Sequence, residues 1–228
     1  MNSWPSPLRV KNVRLLGVSL DLRLLLAVVI GTVLLTIDYY YRFLPAESYA
    51  GALRAKSIER LVYYLLVPLA IIAAVGDRPR EYGLQLGKWK WGLTWALASA
   101  LVAAPVLIFT ARSPAMVEYY AQGERGLVEV LWVSSVELLG WEFFFRGFLL
   151  SVLGRLVGPN AILLQAVPFA LAHLGKPPVE TLSTIFGGIY FGFIAWRSRS
   201  FLYAFLLHLL INLTVVLTAL QAGGELGL

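Results

Sequence analysis

The chain contains no cysteine and only two histidines. The absence of cysteine excludes disulfides, a thiolate metal site and a cysteine nucleophile. Charged residues are also scarce: they make up 14% of the 228 residues, whereas 59% are hydrophobic. A soluble domain averages about 25% charged and about 45–50% apolar residues. Because a soluble core of this size cannot hide so much apolar surface, the composition predicts an integral membrane protein.

The few charged residues divide the apolar sequence into segments of about 20 residues, the length that crosses a bilayer as a helix. We predict an all-α fold, a polytopic transmembrane helix bundle with seven to eight spans and a site in the bundle interior. The fourth segment is long enough to be tilted or broken, and residues 112–125 could form an interfacial helix, so both counts stay open. The predicted spans are 23–44, 58–76, 91–111, 126–153, 157–174, 180–196 and 201–221.

Lys and Arg residues are more frequent in the segments that share the N-terminal side of the bundle. Because basic loops favour the cytoplasm, we expect a multi-pass protein of the cell membrane with a cytoplasmic N-terminus. The same tendency accounts for the net charge of +6, so the bilayer and not nucleic acid is the expected partner. The start of the chain does not resemble a signal peptide. We divide the chain into a cytoplasmic N-terminal segment (1–22), N-terminal transmembrane helices and loops (23–125), a core (126–221) and a C-terminal tail (222–228).

Several ionisable side chains fall inside the predicted spans, where they are costly and suggest a functional site. Glu142 and Arg146 are four residues apart in "WEFFFRGFLL", so they share a helix face and can form an ion pair. His208 and Asn212 in "HLLIN" have the same spacing, and His173 lies near the end of the fifth span. A structural ion pair and an interhelical hydrogen bond are the competing interpretations of these pairs.

Together these side chains provide most of what hydrolysis of an amide requires. The Glu142 carboxylate can act as general base on water, and His173 can hold and polarise that water. His208 and Asn212 can stabilise the oxyanion of the tetrahedral intermediate. Arg146 would keep Glu142 ionised and in place.

Three motifs occur in order, each in an apolar span: Glu-xxx-Arg-Gly in "WEFFFRGFLL", Phe-xxx-His in "FALAH" and His-xxx-Asn in "HLLIN". This order resembles the CAAX-protease and bacteriocin-processing family of intramembrane proteases, also called the Abi or type II CAAX prenyl endopeptidase-like family. The resemblance covers about residues 126–216. It implies a membrane-embedded endopeptidase that acts on a membrane-associated protein or peptide. By motif position, its site residues would be Glu142, Arg146, His173, His208 and Asn212.

The sequence departs from the family pattern at Trp141, where the family commonly has the first of two adjacent glutamates. In the best-described members that glutamate is thought to activate the water. Glu137 is a second-rank substitute, because it lies about 40° round the helix from Trp141 and roughly 6 Å along the axis. Glu137 and Glu142 are about 140° apart, so they converge only if the helix bends. Trp141 and Phe169 are also candidates for contact with the substrate.

The resemblance leaves both a glutamate-type and a metal-dependent mechanism open. No cofactor is firmly expected, but Glu142, His173 and His208 could ligate a divalent metal such as zinc, with one position left open. Arg146 beside Glu142 would oppose a bound cation, which favours the metal-free scheme.

Trp141 also supports a second function from another class of protein. This is a catalytically impaired family member that acts as a membrane peptide-binding or bacteriocin-immunity protein. A transporter or proton relay ranks last, because the sequence lacks inverted repeats and paired broken helices.

Overall fold

The structure is a computed structural model, and it describes residues 12–227. The predicted cytoplasmic segment therefore lies partly outside the described residues, as does the last residue of the tail. A β-hairpin leads into a bundle of helices, and a two-residue parallel pairing of β3 with β4 ties the C-terminal residues to the start of α6. The strands are β1 (Asn12–Leu15), β2 (Val18–Asp21), β3 (Arg125–Gly126) and β4 (Leu226–Gly227). The α-helices are α1 (Leu22–Tyr40), α2 (Tyr49–Leu61), α3 (Val67–Ala74), α4 (Trp89–Ala111), α5 (Pro114–Tyr120), α6 (Leu127–Glu142), α7 (Leu150–Val157), α8 (Ala161–Leu171), α9 (Pro178–Ser198) and α10 (Leu202–Gly223).

The all-α membrane bundle is confirmed, but the number of spans differs from the prediction. Within residues 12–227, six helical segments are long and apolar enough to cross a membrane, where seven or eight were expected. The main reason is that the predicted fourth and fifth spans form one helical segment of 45 residues. The six segments are Leu22–Tyr40, Tyr49–Ala74, Trp89–Ala111, Leu127–Leu171, Pro178–Ser198 and Leu202–Gly223.

The 45-residue segment is a hairpin with limbs of unequal length. Its bend is a 3₁₀ turn at Gly158–Asn160, where Gly158 has a φ of +59° that suits a residue without Cβ. The returning limb, α8, has 11 residues and is about 16 Å long. It packs back against the first limb, so that the ring centroids of Phe169 and Phe145 are 5.3 Å apart. The hairpin therefore brings the end of α8 beside the middle of the long limb.

Two π-helical segments interrupt the long helices at the centre of the bundle. They lie at Val62–Leu66, between α2 and α3, and at Phe143–Leu149, between α6 and α7. Wide turns of this kind are rare and often occur at functional sites. They meet in the core, where the ring of Tyr64 lies 5.2 Å from the rings of both Trp141 and Phe144. The wide turns therefore border the residues predicted to form the site.

Glycines on α9 allow this helix to pack closely against α8. A Cβ atom at Gly188 would lie 2.9 Å from Cδ1 of Phe169, and one at Gly192 would lie 2.5 Å from Nε2 of Gln165. Neither position has room for a larger side chain, as expected where helices approach closely in a membrane. The small residues therefore serve packing inside the bundle.

An ion-pair network fixes the start of α1 to the loop after α3. Arg23 donates through Nε and Nη2 to the two carboxylate oxygens of Asp77, both at 2.7 Å. The hydroxyl of Tyr82 also donates to Asp77, at 2.7 Å, and Arg155 donates to Tyr82 at 2.8 Å. Burial alone would raise the pKa of Asp77, but the hydrogen bonds from Arg23 and Tyr82 outweigh burial and lower the pKa.

Replacement of Asp77 by asparagine is expected to destabilise the fold by about 1–3 kcal/mol, the usual value of hydrogen bonds to a charged group. Because the folded-state pKa is lowered, the stabilisation exists above the ordinary carboxyl pKa and is lost as pH falls through the folded-state value, below about 4. Thermal unfolding of both proteins in detergent, from pH 8 to pH 3, measures this difference. A gap in melting temperature that does not narrow in acid would contradict the assignment.

Candidate active site

Glu142 joins two of the predicted motifs, and it is completely buried. It is the last residue of α6, and its Oε1 accepts a hydrogen bond from Nη1 of Arg146 at 2.9 Å. The same oxygen lies 2.7 Å from Nδ1 of His208 on α10. Because an ionised carboxylate only accepts hydrogen bonds, His208 carries its proton on Nδ1. The expected pairing of Glu142 with Arg146 is therefore present, and it extends to a histidine 66 residues away.

Arg146 is also completely buried and lies against an aromatic ring. Its Cζ atom is 3.8 Å from the ring centroid of Phe169, in a cation–π contact. Its Nη2 donates to the backbone oxygen of Gly188 at 3.4 Å. Phe169 is 1% exposed and lies outside the set of described residues that line the cavity. The structure therefore places Phe169 in contact with Arg146, and its contact with a substrate stays a prediction.

His173 lies in the turn after α8, beside Trp141. Its Nδ1 is 2.8 Å from the backbone oxygen of Phe169, so Nδ1 is the protonated nitrogen and Nε2 is an acceptor. Its ring centroid lies 5.8 Å from that of Trp141.

A cavity of about 810 Å³ in the bundle interior brings the remaining predicted residues together. Its walls include His173, His208, Asn212, Trp141 and Glu137. Among residues 12–227, Nε2 of each histidine is without a hydrogen-bond partner, and Oδ1 of Asn212 is buried without one. Glu142 is behind this wall, since the described lining does not include it. The order from the cavity inward is therefore imidazole, carboxylate, guanidinium.

Glu137 faces a different neighbour from Glu142. It accepts a hydrogen bond from Nη1 of Arg60 on α2, whose Nη2 lies 2.9 Å from Oδ2 of Asp38 on α1. The guanidinium of Arg60 also lies 4.7 Å from the ring centroid of Trp141. The two glutamates do not converge, as their angular separation on the helix predicted. Glu137 thus belongs to an acid–arginine–acid cluster at the cavity wall.

Sequence reasoning missed Arg60 as a member of the site. This arginine lies only two residues after the predicted start of the second span at 58, so the sequence did not mark it as buried; the helix in fact begins at Tyr49, and Arg60 lies near the end of α2. A signal was present, because Asp38 is an acid inside the first predicted span. A buried acid needs a cationic partner, and Arg60 provides it.

The sequence offers Glu142, His173 and His208 as the ligands of a divalent metal. In the part of the chain from 12 to 227, no group of three or more histidine, aspartate or glutamate side chains could hold one. Oε1 of Glu142 is already engaged by His208 and by the cation of Arg146. The two nitrogens that face this oxygen, Nη1 of Arg146 and Nδ1 of His208, are both donors. Neither therefore presents a lone pair to a metal ion beside that carboxylate.

These features define a helical, multi-pass membrane protein with a buried carboxylate–imidazole pair at an interior cavity. Residues 123–214 match the family model described as type II CAAX prenyl endopeptidase Rce1-like. This match confirms the resemblance drawn from the three motifs, all of which lie within it. It supports a CAAX-type intramembrane protease with a peptide or protein as its substrate. Searches of curated proteins and of solved structures found no match.

Proposed function

We propose that this chain is an intramembrane endopeptidase in which a Glu142–His208 pair activates water to hydrolyse a peptide bond of a membrane-associated protein or peptide. The observation that carries the proposal is the 2.7 Å hydrogen bond between Oε1 of Glu142 and Nδ1 of His208, at the wall of the interior cavity. The family match supports the reaction class.

The proposed base is Nε2 of His208. Donation from Nδ1 to Glu142 fixes the tautomer and leaves a lone pair on Nε2. A water hydrogen-bonded there transfers a proton to Nε2 as its oxygen attacks the scissile carbonyl. Glu142 stabilises the imidazolium that results, as the carboxylate does in a serine protease triad. Glu142 thus acts on the water through His208, because its own carboxylate is completely buried.

His173 and Asn212 complete the scheme. The free Nε2 of the neutral His173 accepts a hydrogen bond from the same water and orients it. Asn212 lies one turn after His208 on α10, and its amide donates to the oxyanion of the tetrahedral intermediate. When that intermediate collapses, the imidazolium of His208 returns its proton to the leaving amine.

Arg146 keeps the base in its working form. Glu142 is completely buried, and a buried charge is strongly unfavourable without a counter-ion. The adjacent guanidinium, itself supported by the ring of Phe169, offsets that penalty. The scheme therefore needs no metal ion, and Arg146 serves as a positioning residue.

The direct test is hydrolysis by the purified full-length chain in lipid nanodiscs. A library of membrane-tethered peptides is incubated in H₂¹⁸O, and the products are identified by mass spectrometry. The expected product has one ¹⁸O in the new carboxylate, since the attacking oxygen comes from water. If no peptide in the library is cut, the endopeptidase proposal is contradicted.

Trp141 favours the second candidate function, a catalytically impaired, peptide-binding or bacteriocin-immunity protein. Its ring stands where the family commonly has a glutamate, in contact with Arg60 and beside His173. In this case the wild-type chain binds peptides without cutting them. The Trp141→Glu variant is then expected to hydrolyse them, because Arg60 can donate hydrogen bonds to the new carboxylate and hold it in place. If wild type already releases ¹⁸O-labelled product, this second function is excluded.

A further inference from the structure

The walls of the cavity carry more positive than negative side chains. Three of the basic residues have acidic partners: Arg42 and Arg60 contact Asp38, and Lys176 lies 2.6 Å from Glu180. The other two have no carboxylate within ion-pair distance among residues 12–227. The basic lining residues are Arg42, Lys56, Arg60, Arg125 and Lys176, and the acidic ones are Asp38 and Glu137.

Arg125 is one of the two cations without a counter-ion. It is only 6% exposed, yet the one described hydrogen bond of its side chain goes from Nη2 to the backbone oxygen of Tyr120. Its Nε is buried and has no partner among the described residues. A buried charge is strongly unfavourable unless something pairs with it. An anion in the cavity would supply the missing partner.

Lys56, on α2, is the second such cation. It follows Tyr49 by seven residues, two helical turns, so both lie on one face about 10 Å apart along the axis. The guanidinium of Arg125 lies 5.9 Å from the ring centroid of Tyr49. Lys56 makes no hydrogen bond or ion pair with any residue from 12 to 227. Two long basic side chains without a described ion-pair partner thus line the same cavity.

We propose that Arg125 and Lys56 form an anion subsite that binds a carboxylate of the peptide substrate. The identity of the ligand rests on the proposed function, which supplies a peptide to this cavity. Guanidinium and ammonium groups bind carboxylates through charge-assisted hydrogen bonds. The carboxylate can belong to the C-terminus of the peptide or to an acidic side chain, since both present the same chemistry.

The geometry limits where the carboxylate lies in the substrate. Arg125 lies just before α6, and Leu127, the first residue of this helix, precedes Glu142 by 15 residues, which corresponds to about 22 Å along the axis. Glu142 contacts His208, beside which the bond is cut. An extended peptide covers about 3.4 Å per residue, so the recognised carboxylate lies within about seven residues of the scissile bond.

Binding to an inactive chain tests this subsite without any dependence on hydrolysis. The full-length His208→Ala variant in phosphatidylcholine nanodiscs is titrated with fluorescent, membrane-tethered peptides, and anisotropy gives Kd. Three peptides share one sequence: one with a free C-terminus, one amidated, and one amidated with an internal glutamate. A peptide with a carboxylate is expected to bind about tenfold tighter than the neutral one, and the two carboxylate peptides identify the source.

Lys56→Gln is the principal variant, because it removes a cation without breaking any described hydrogen bond. It should abolish most of the preference for the carboxylate, as should Arg125→Gln, whereas Arg125→Lys should retain it. Arg112→Gln is the matched control, since Arg112 is exposed and lies outside the described cavity wall. Equal binding of neutral and carboxylate peptides would overturn the proposal, as would equal losses in Lys56→Gln and Arg112→Gln.

Two further outcomes separate this proposal from others. If carboxylate-dependent binding occurs but the wild-type chain cuts none of the peptides, the subsite stands and only the hydrolytic function fails. If phosphatidylglycerol in the nanodisc abolishes the preference in proportion to its content, the subsite binds a lipid phosphate, and the assignment to a peptide carboxylate is wrong.

Discussion

Replacement of His208 by alanine is expected to lower kcat for peptide hydrolysis by about 10²- to 10⁴-fold, the usual contribution of a general base. The physical reason is that Nε2 of His208 is the proposed acceptor of the water proton, and Glu142 cannot reach the cavity in its place. Initial rates of ¹⁸O incorporation in nanodiscs, at saturating peptide, measure the effect. KM should change little, because the imidazole acts on the water rather than on the bound peptide.

Thr214→Ala is the matched control for this variant. Thr214 is on the same helix, and the described hydrogen bond of its hydroxyl goes to the backbone oxygen of Leu210, one turn earlier, at 2.8 Å. It should retain wild-type kcat. If folded His208→Ala, checked by its melting temperature, retains more than about a tenth of the wild-type kcat, His208 is not the base.

Replacement of Glu142 by glutamine is expected to reduce both activity and stability. Activity falls because a neutral amide no longer stabilises the imidazolium of His208. Stability falls by about 3–5 kcal/mol, because Arg146 is left as a buried charge without a counter-ion. Thermal unfolding in detergent and rates of hydrolysis in nanodiscs give the two quantities on one preparation.

A double variant separates these two effects. Glu142→Gln combined with Arg146→Met removes both buried charges, and replacing a buried ion pair by apolar groups is often neutral for stability. We expect the melting temperature to recover while hydrolysis stays low. Recovery of hydrolysis together with stability would mean that Glu142 has only a structural role, and the proposed base would then be wrong.

The motif residues could be predicted from the sequence because each depends on local spacing. Glu142 and Arg146 pair at i and i+4, as any two such residues on one helix face can. The meeting of Glu142 with His208 depends instead on how α6 and α10 pack. Only the resemblance to a family indicated that these helices meet, since no spacing rule connects residues 66 apart.

The acid–arginine–acid cluster shows why the rest could not be predicted. Hydropathy alone placed the start of the second span at 58, because Lys56 reads as a loop residue and Arg60 lies too close to that start to be recognised as buried. In the structure their charges face a cavity and not lipid, so the helix can begin at Tyr49. The short limb α8 was also missed, because an apolar segment of the right composition need not cross the bilayer.

The unequal hairpin has a consequence for the hydration of the membrane interior. At about 16 Å, α8 is only about half as long as the hydrocarbon core is thick, so α8 alone does not cross it and the turn that carries His173 can lie at membrane depth. Irregular backbone is tolerated at that depth only where protein or water surrounds it. Thr181 accounts for one carbonyl, by donating to the backbone oxygen of His173 at 2.8 Å. The amides of His173, Leu174 and Lys176 donate to backbone oxygens of the same turn. The backbone is thus largely satisfied by protein, and Nε2 of His173 is left to hold the water of the hydrolysis beside the base that uses it.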